Sequence, residues 1–388
     1  MFDAIKGIKV LDLTRLTPGA YATKLMAEMG AEVVKIEDTG NGDYMRIVGP
    51  MYDDASVWYY AVNVSKKSAC LNLKTAEGVD IFKRLVEDYD VLIEGFRPRV
   101  MGRLGLGYET LAEINPRLVY CSLTGFGQDG PFNRQPGHDI NYMAIAGALG
   151  LTGLKNGPVV PPGLQVADMG GAVMAVVGVL AAYIGALRTG KGRYVDISMT
   201  DTALSLIPLE MAEYLASGKA PEAGQSYFNG GEACYAVYPT KDGRHVCMGN
   251  REEKFWKTFC RIAERPDLEE LQFSTDEQAF QKIGAFFGTK TLNEVVALFE
   301  KADTCITPVL RLNEVPDHPQ ISAREMIVKN DKETGLPPFI ACPIRSSGKN
   351  EHVYRPAPRQ GEHTREVLAA AGYSGNFIEK AILDGVAR

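Results

Sequence analysis

One histidine and two carboxylates carry the strongest hint of chemistry in this chain. Gly137-His138-Asp139-Ile140-Asn141-Tyr142 sets a histidine beside an acid. Asp168 follows some thirty residues later, directly before Met169-Gly170-Gly171 and a long apolar run. Histidine is scarce, five in 388 residues, so its appearance in a Gly- and Asn-containing segment points to a loop or a site. An imidazole and a carboxylate on opposite sides of a carbon can remove a proton from one face and return it to the other. Each residue also has an ordinary structural use. His138 can be a packed loop residue, Asp139 can orient the imidazole or cap a turn, and Asp168 can be a plain helix N-cap stabilised by the helix dipole.

Two further groups fit a ligand site. Glu94-Gly95-Phe96-Arg97-Pro98-Arg99 ends a strand-like run, and Arg103 follows it. Ligands of open α/β sheets gather beyond the carboxyl ends of strands, and a guanidinium fork suits phosphate. Glu252 opens a helical pattern late in the chain and by itself reads as a solvated first-turn acid. Other motifs fail on context. Gly185 to Gly192 approaches a phosphate loop but lacks the final Ser/Thr and follows a helix. Gly125-Phe126-Gly127-Gln128-Asp129-Gly130 follows a strand but runs into Pro131, so it reads as a turn-rich loop rather than a dinucleotide site. The G-x-S-x-G and H-E-x-x-H patterns do not occur.

The elements that must position these residues are legible as alternation. Strand-like runs at 9–13, 33–37, 91–94 and 118–123 are separated by helical patterns at 20–29 and 78–86. That order predicts βαβ units and a parallel Rossmann-like sheet with helices on both faces. A strand at 194–199 precedes a helix capped by Thr200-Asp201 and running through Leu215. Runs at 235–239 and 245–248 flank Lys241-Asp242-Gly243, a hairpin signal. Helices at 252–263 and 292–301 follow, the latter opening with the capping box Thr291-x-x-Glu294. The expected division is a large α/β domain over 1–200, a helical linker over 201–227 and a small α+β domain over 228–318. A return segment over 319–388 completes the large domain, with a helix at 365–371.

A net charge of −6 offers no surface for nucleic acid. The seven cysteines (70, 121, 234, 247, 260, 305, 342) are odd in number and lack any C-x-x-C, which argues against a disulfide framework or zinc site and for a reducing cytoplasm. The uncharged run 172–187 is shorter than the ~20 residues a membrane span needs, so it is expected to be a buried core helix rather than a membrane anchor.

The chain resembles the family III CoA-transferases and their racemase branch, the α-methylacyl-CoA racemases. The resemblance runs from about Gly7 to Tyr373. It is carried by Val10-Leu11-Asp12-Leu13-Thr14 through Gly30-Ala31-Glu32-Val33-Val34-Lys35-Ile36-Glu37, by Glu94-Gly95-Phe96-Arg97-Pro98 with Leu104-Gly105-Leu106-Gly107, by Thr124-Gly125-Phe126-Gly127-Gln128-Asp129-Gly130-Pro131, and by Pro308-Val309-Leu310 through Ala323-Arg324. It implies a CoA thioester as substrate with no permanently bound cofactor or metal, and two subunits threaded through each other as an interlocked homodimer. In the racemase branch the acid matching Asp168 works one face of the α-carbon, and a His matching His138, paired with a Glu matching Glu252, works the other. In the transferase branch the acid matching Asp168 is a nucleophile that carries CoA. The resemblance also implies that Arg97 and Arg103 hold the CoA phosphates. A backbone N–H near His138-Asp139 would stabilise the enolate oxygen, so Asp139 joins the expected thioester contacts. The GHDINY segment resembles the racemase form, so the expected activity is a racemase or epimerase of 2-substituted acyl-CoA thioesters. A CoA-transferase is the alternative, and a non-catalytic CoA-binding subunit is a third class.

Three positions depart from the family pattern. Glu37-Asp38-Thr39 stands where Glu-Arg-Pro is usual, which removes an expected cation. Thr17-Pro18-Gly19 replaces Ala-Gly-Pro. Gly230-Gly231-Glu232-Ala233 replaces Gly-Gly-Ala-Pro, and Glu232 is expected to add a charge near the acyl group.

Overall fold

The computed structural model describes residues 3–52, 54–330, 333, 335–347 and 353–388. The chain forms two compact units. The first comprises 1–143, 165–203 and 319–388, and the second 144–164 and 204–318. The segment 201–227, expected to be a linker, contains helix and clusters with the second unit from residue 204 onward.

Among the described residues, the stretches 1–143 and 165–203 of the first unit carry eight strands: β1 (Lys9–Leu13), β2 (Glu32–Glu37), β3 (Met51–Tyr52), β4 (Ala55–Ser56), β5 (Lys67–Cys70), β6 (Val91–Glu94), β7 (Val119–Thr124) and β8 (Tyr194–Ser198). Strands β3 and β4 pair only with each other. The other six form one parallel sheet in the order β5-β2-β1-β6-β7-β8. The chain thus winds outward from β1 in one direction, then returns to build outward from β6 in the other. That reversal makes β1/β6 the topological switch point, where connecting loops leave in opposite directions and open a crevice.

The central strands are buried on both faces, which explains why they read as near-continuous apolar runs. One face packs Leu11, Val34, Leu92 and Tyr120 against the helix Ala76–Val86 and the returning C-terminal helices Thr364–Ala370 and Gly375–Leu383. The other carries the helices Thr17–Glu28 and Val166–Thr189. Edge strand β5 was not legible in sequence, because its four residues begin Lys67-Ser68 and carry no alternation.

Two expectations change. The apolar run 172–187 lies inside a helix of 24 residues, long and apolar enough to cross a membrane, and only 39% of its most apolar 18-residue window is buried. Its buried stripe, Ala172, Ala175, Val176, Val179, Ala182 and Ala186, recurs at three- and four-residue intervals. Val173, Val177, Ile184 and Leu187 on the remaining face are exposed. The helix expected from Thr200 instead begins at Met199 and ends at Ser205; a second starts at Pro208, whose ring cannot continue a preceding helix.

In the second unit β9 (Tyr235–Pro239), β10 (His245–Gly249) and β11 (Ile306–Pro308) form an antiparallel sheet in the order β11-β10-β9. Helices Glu253–Ile262, Glu277–Gly288 and Leu292–Phe299 contribute Trp256, Phe259, Phe286, Phe287 and Phe299 to its core. The Thr291/Glu294 capping box is formed in both directions.

Gly190 ends the long helix in a left-handed turn, so the Gly185–Gly192 segment is a helix terminus and not a phosphate loop. Gly192 then passes so close to β7 that an added Cβ would lie 1.9 Å from the Leu118 carbonyl oxygen. Backbone on both sides leaves no flexible atom to yield. Gly192→Ala is therefore expected to cost about 2–3 kcal/mol of stability, read as a lowered urea midpoint with an unchanged slope.

Candidate functional site

A cavity of about 640 Å³ opens at the switch point. Three strand ends line it: Thr14 to Gly19 after β1, Gly95 to Pro98 after β6, and Leu123 to Phe126 at the end of β7. His138, Asn141, Tyr142 and Asp168 complete the wall. The structure therefore brings His138, Asp168 and Arg97 to one cavity, where the sheet order predicts a ligand.

The local sequence explains how. Asp168 lies in the first turn of Val166–Thr189, whose N-cap residue Gln165 makes no side-chain capping bond. Asp139 supplies the cap from a distant segment. Its Oδ1 accepts from the backbone N–H of Ala167 at 2.7 Å and of Asp168 at 3.0 Å. The Asp139 carboxylate is thus bound to the helix start, and any contact it makes to a thioester falls to its backbone. His138 precedes the short helix Asp139–Ile145. Its N–H donates to Asn141 Oδ1 at 3.0 Å, and its carbonyl accepts from Asn141 and Tyr142. The exposed imidazole projects from a backbone fixed on both sides.

Burial pushes the Asp168 carboxyl up to about 6; the nearby Asp139 charge raises it further and His138 lowers it. A carboxyl in this range can hold or release a proton near neutrality. Tyr142 closes the same wall. Its hydroxyl donates to the Gly137 carbonyl, and its ring meets Phe126 edge-on at 5.1 Å. Burial, followed by Asp168, pushes its phenol up to about 12. A Cβ on Gly125 would lie 2.3 Å from this ring, so the strand end must be glycine. The G-x-G-x-x-G segment is accordingly a loop that admits Tyr142, with Gly127 at φ 79°.

Arg97 lines the cavity, whereas Arg103, one short helix later, does not. Arg15 was missed. It lines the cavity between the rings of Tyr44 and Phe96, at 5.2 and 5.6 Å, and pairs with Asp38 at 3.0 Å. Asp38 thus removes the cation expected at its own position yet anchors another. Arg15 lies two residues beyond the end of a strand, the same signal that singled out Arg97.

Glu252 belongs to the second unit, exposed at the N-cap of Glu253–Ile262, with no capping bond from its side chain. Glu232 is not the free charge expected. It is buried and pairs with Arg251 at 2.5 Å, whose guanidinium lies over the rings of Tyr227, Phe228 and Phe273. Among the described residues no His/Cys/Asp/Glu group could hold a metal ion.

A doubly wound sheet with ionisable side chains at its switch point defines a ligand-binding α/β enzyme fold. The chain belongs to CoA-transferase family III, whose sequence model matches residues 5–364. It is 32% identical to an acyl-CoA transferase of Fusarium pseudograminearum, covering 99% of this chain and 88% of that protein. It is 33% identical to the alpha-methylacyl-CoA racemase of Homo sapiens, covering 97% and 95%. The fold matches the crystal structure of a CAIB/BAIF family protein from Brucella suis with a TM-score of 0.83 at 27% identity, over 96% of this chain and all of that one. The chain is therefore a CoA-utilising enzyme of the transferase/racemase type.

Two outcomes test the site's energetics. Asp139→Ala removes the acceptor for two N–H groups and is expected to cost about 1–3 kcal/mol, seen as a lowered melting temperature. For Asp168 the sign follows from its raised pKa. The folded state keeps its proton up to about pH 6 while the unfolded chain releases it near 3.8, so stability falls as pH rises through that window. Asp168→Asn removes this penalty and should stabilise the protein by about 1–3 kcal/mol at pH 7.5 but not at pH 3; urea unfolding at both values reads the difference.

Proposed function

We propose that the protein is an acyl-CoA racemase or epimerase, which inverts the carbon α to the thioester of a 2-substituted acyl-CoA. The observation that carries this reading is the placement of His138 and Asp168 in one cavity, with Asp168 brought near neutrality. Ionised Asp168 takes the α-proton from one face. The C–H electrons move into the thioester and form an enolate, and protonated His138 returns a proton to the opposite face. In the reverse direction the roles exchange. The enolate oxygen needs a donor aimed at it. The His138 N–H is engaged by Asn141, so the first-turn N–H of Asp139 is assigned to it. Glu252 is proposed as the partner of His138, and Arg97 and Arg103 as the phosphate contacts; these rest on the family resemblance, as does an interlocked homodimer.

The second reading is transfer of CoA between two carboxylic acids with Asp168 as nucleophile. The 32% identity to an acyl-CoA transferase, beside 33% to the racemase, supports it.

Incubation with a 2-methylacyl-CoA in deuterated water, without an acceptor acid, separates the two. Deuterium at the α-carbon with loss of chirality is expected. Absence of exchange, together with CoA transfer once an acceptor is added, would establish the transferase instead. Asp168→Ala should abolish either activity, whereas His138→Ala should slow exchange by about 100-fold or more. In the direction where Asp168 is the base, kcat/KM should fall as pH drops below about 6, because protonation removes the base.

A further inference from the structure

The first wall of the cavity is held from beneath by charges that do not line it. Lys35 on β2 is fully buried; its Nζ donates to the Thr14 carbonyl at 2.8 Å and pairs with Asp43 Oδ2 at 2.8 Å. Asp43 Oδ1 accepts from the N–H of Leu16 at 3.2 Å and of Met45 at 3.0 Å. On β1, Asp12 Oδ1 accepts from the Thr14 N–H at 2.9 Å and hydroxyl at 2.6 Å, and its Oδ2 pairs with Lys66 at 3.1 Å. Burial alone would drive these groups toward neutrality. For Asp12, Asp43 and Lys35 the opposing charges outweigh it, holding Asp12 down to about 2, Asp43 below and Lys35 above their ordinary values, whereas burial still brings Lys66 down to about 8.

The conformation so held is one that the chain would not choose freely. Leu16 sits at φ 63°, ψ −165°, a region essentially reserved for glycine. Such a residue persists only where its surroundings over-determine it, and here two buried carboxylates and an ammonium do so. Arg15 lies between the two gripped residues and faces the cavity.

We propose that Lys35 and Asp43 are positioning residues for ligand binding. They hold Thr14 and Leu16, and through them Arg15, in the conformation that receives the CoA portion of the substrate. The proposal rests on the reading of this cavity as a CoA thioester site and is independent of racemase or transferase chemistry. A buried ion pair that fixes one conformation rather than adding stability is a recognised use of such pairs.

The test is calorimetric titration of the full-length protein with CoA alone. Asp43→Ala should weaken CoA binding about 10-fold or more, because the bond to Leu16 and the charge on Lys35 are both left unmatched. Asp43→Asn keeps an oxygen for the Leu16 N–H and should lose only about 3-fold. Gly192→Ala, remote from the cavity, supplies a destabilised control expected to bind CoA as the wild type does. Wild-type affinity in Asp43→Ala overturns the proposal, as does an equal loss in the Gly192→Ala control. If Asp43→Ala does not fold, wild-type affinity in Asp43→Asn overturns it. Failure of the unmodified protein to bind CoA at millimolar concentration sinks the cavity reading and this proposal together; normal wild-type binding with unaffected variants sinks only this one.

Discussion

Two backbone N–H groups and one carboxylate join the halves of the candidate site. Asp139 accepts from Ala167 and Asp168 across nearly thirty residues of intervening chain. One end of this link carries His138 as its neighbour in sequence, and the other carries Asp168. A segment of the second unit, 144–164, lies between them in sequence, so no local element could hold the two side chains together. The link also satisfies donors that the start of a helix leaves without partners. Tertiary closure and helix capping are thus the same two hydrogen bonds. Their position adds a negative charge beside Asp168, which together with burial keeps that carboxyl from its ordinary acidity.

The sheet was legible because its physics is local. Runs such as Val10 to Leu13 and Val119 to Thr124 are mostly apolar and buried on both faces, and helical patterns separate the early strands. The switch point was not legible, because it depends on the lateral order of the strands; what the sequence offered for Arg97 was its place beyond the carboxyl end of a strand. The role of Asp139 was not legible. A His-Asp dipeptide suggests a pair, but adjacent residues leave a helix start in different directions, and here the imidazole faces the cavity while the carboxylate turns to another helix. Nothing local in the sequence marks a residue that caps a helix elsewhere. The same holds for Glu232, which reads as a lone charge in a glycine-rich stretch and is neutralised by Arg251, nineteen residues on.

Buried charge was the other blind spot. Asp12 and Lys35 sit within strand patterns, where polar residues read as interruptions. Their burial is stable only because each meets an opposite charge from a neighbouring segment, and a strand pattern contains no trace of that partner. Arg15 was missed for a related reason. Its position depends on Asp38 and on two rings from separate segments, and the loss of a cation at position 38 looked like a defect rather than the other half of a pair. Residues whose meaning lies in a non-local partner are systematically underread, whereas those whose meaning lies in periodicity are not.

The chemistry of Asp168 alone does not divide the two enzyme readings. Desolvation makes a carboxylate both a stronger base and a stronger nucleophile, so a raised pKa serves either role. The difference lies in what else the cavity must hold. Nucleophilic CoA transfer needs room for an acceptor acid and a second use of the same carboxylate, and it leaves an imidazole without a task. Proton exchange needs a second titratable group that reaches the opposite face and can carry the opposite protonation state. In the proposed racemase reading that group is His138, which lines the same cavity, with its backbone fixed by Asn141 and Tyr142 and its ring exposed. Under the racemase reading, an exposed ring on an immobilised backbone has its position set by the fold while it stays open to solvent between turnovers.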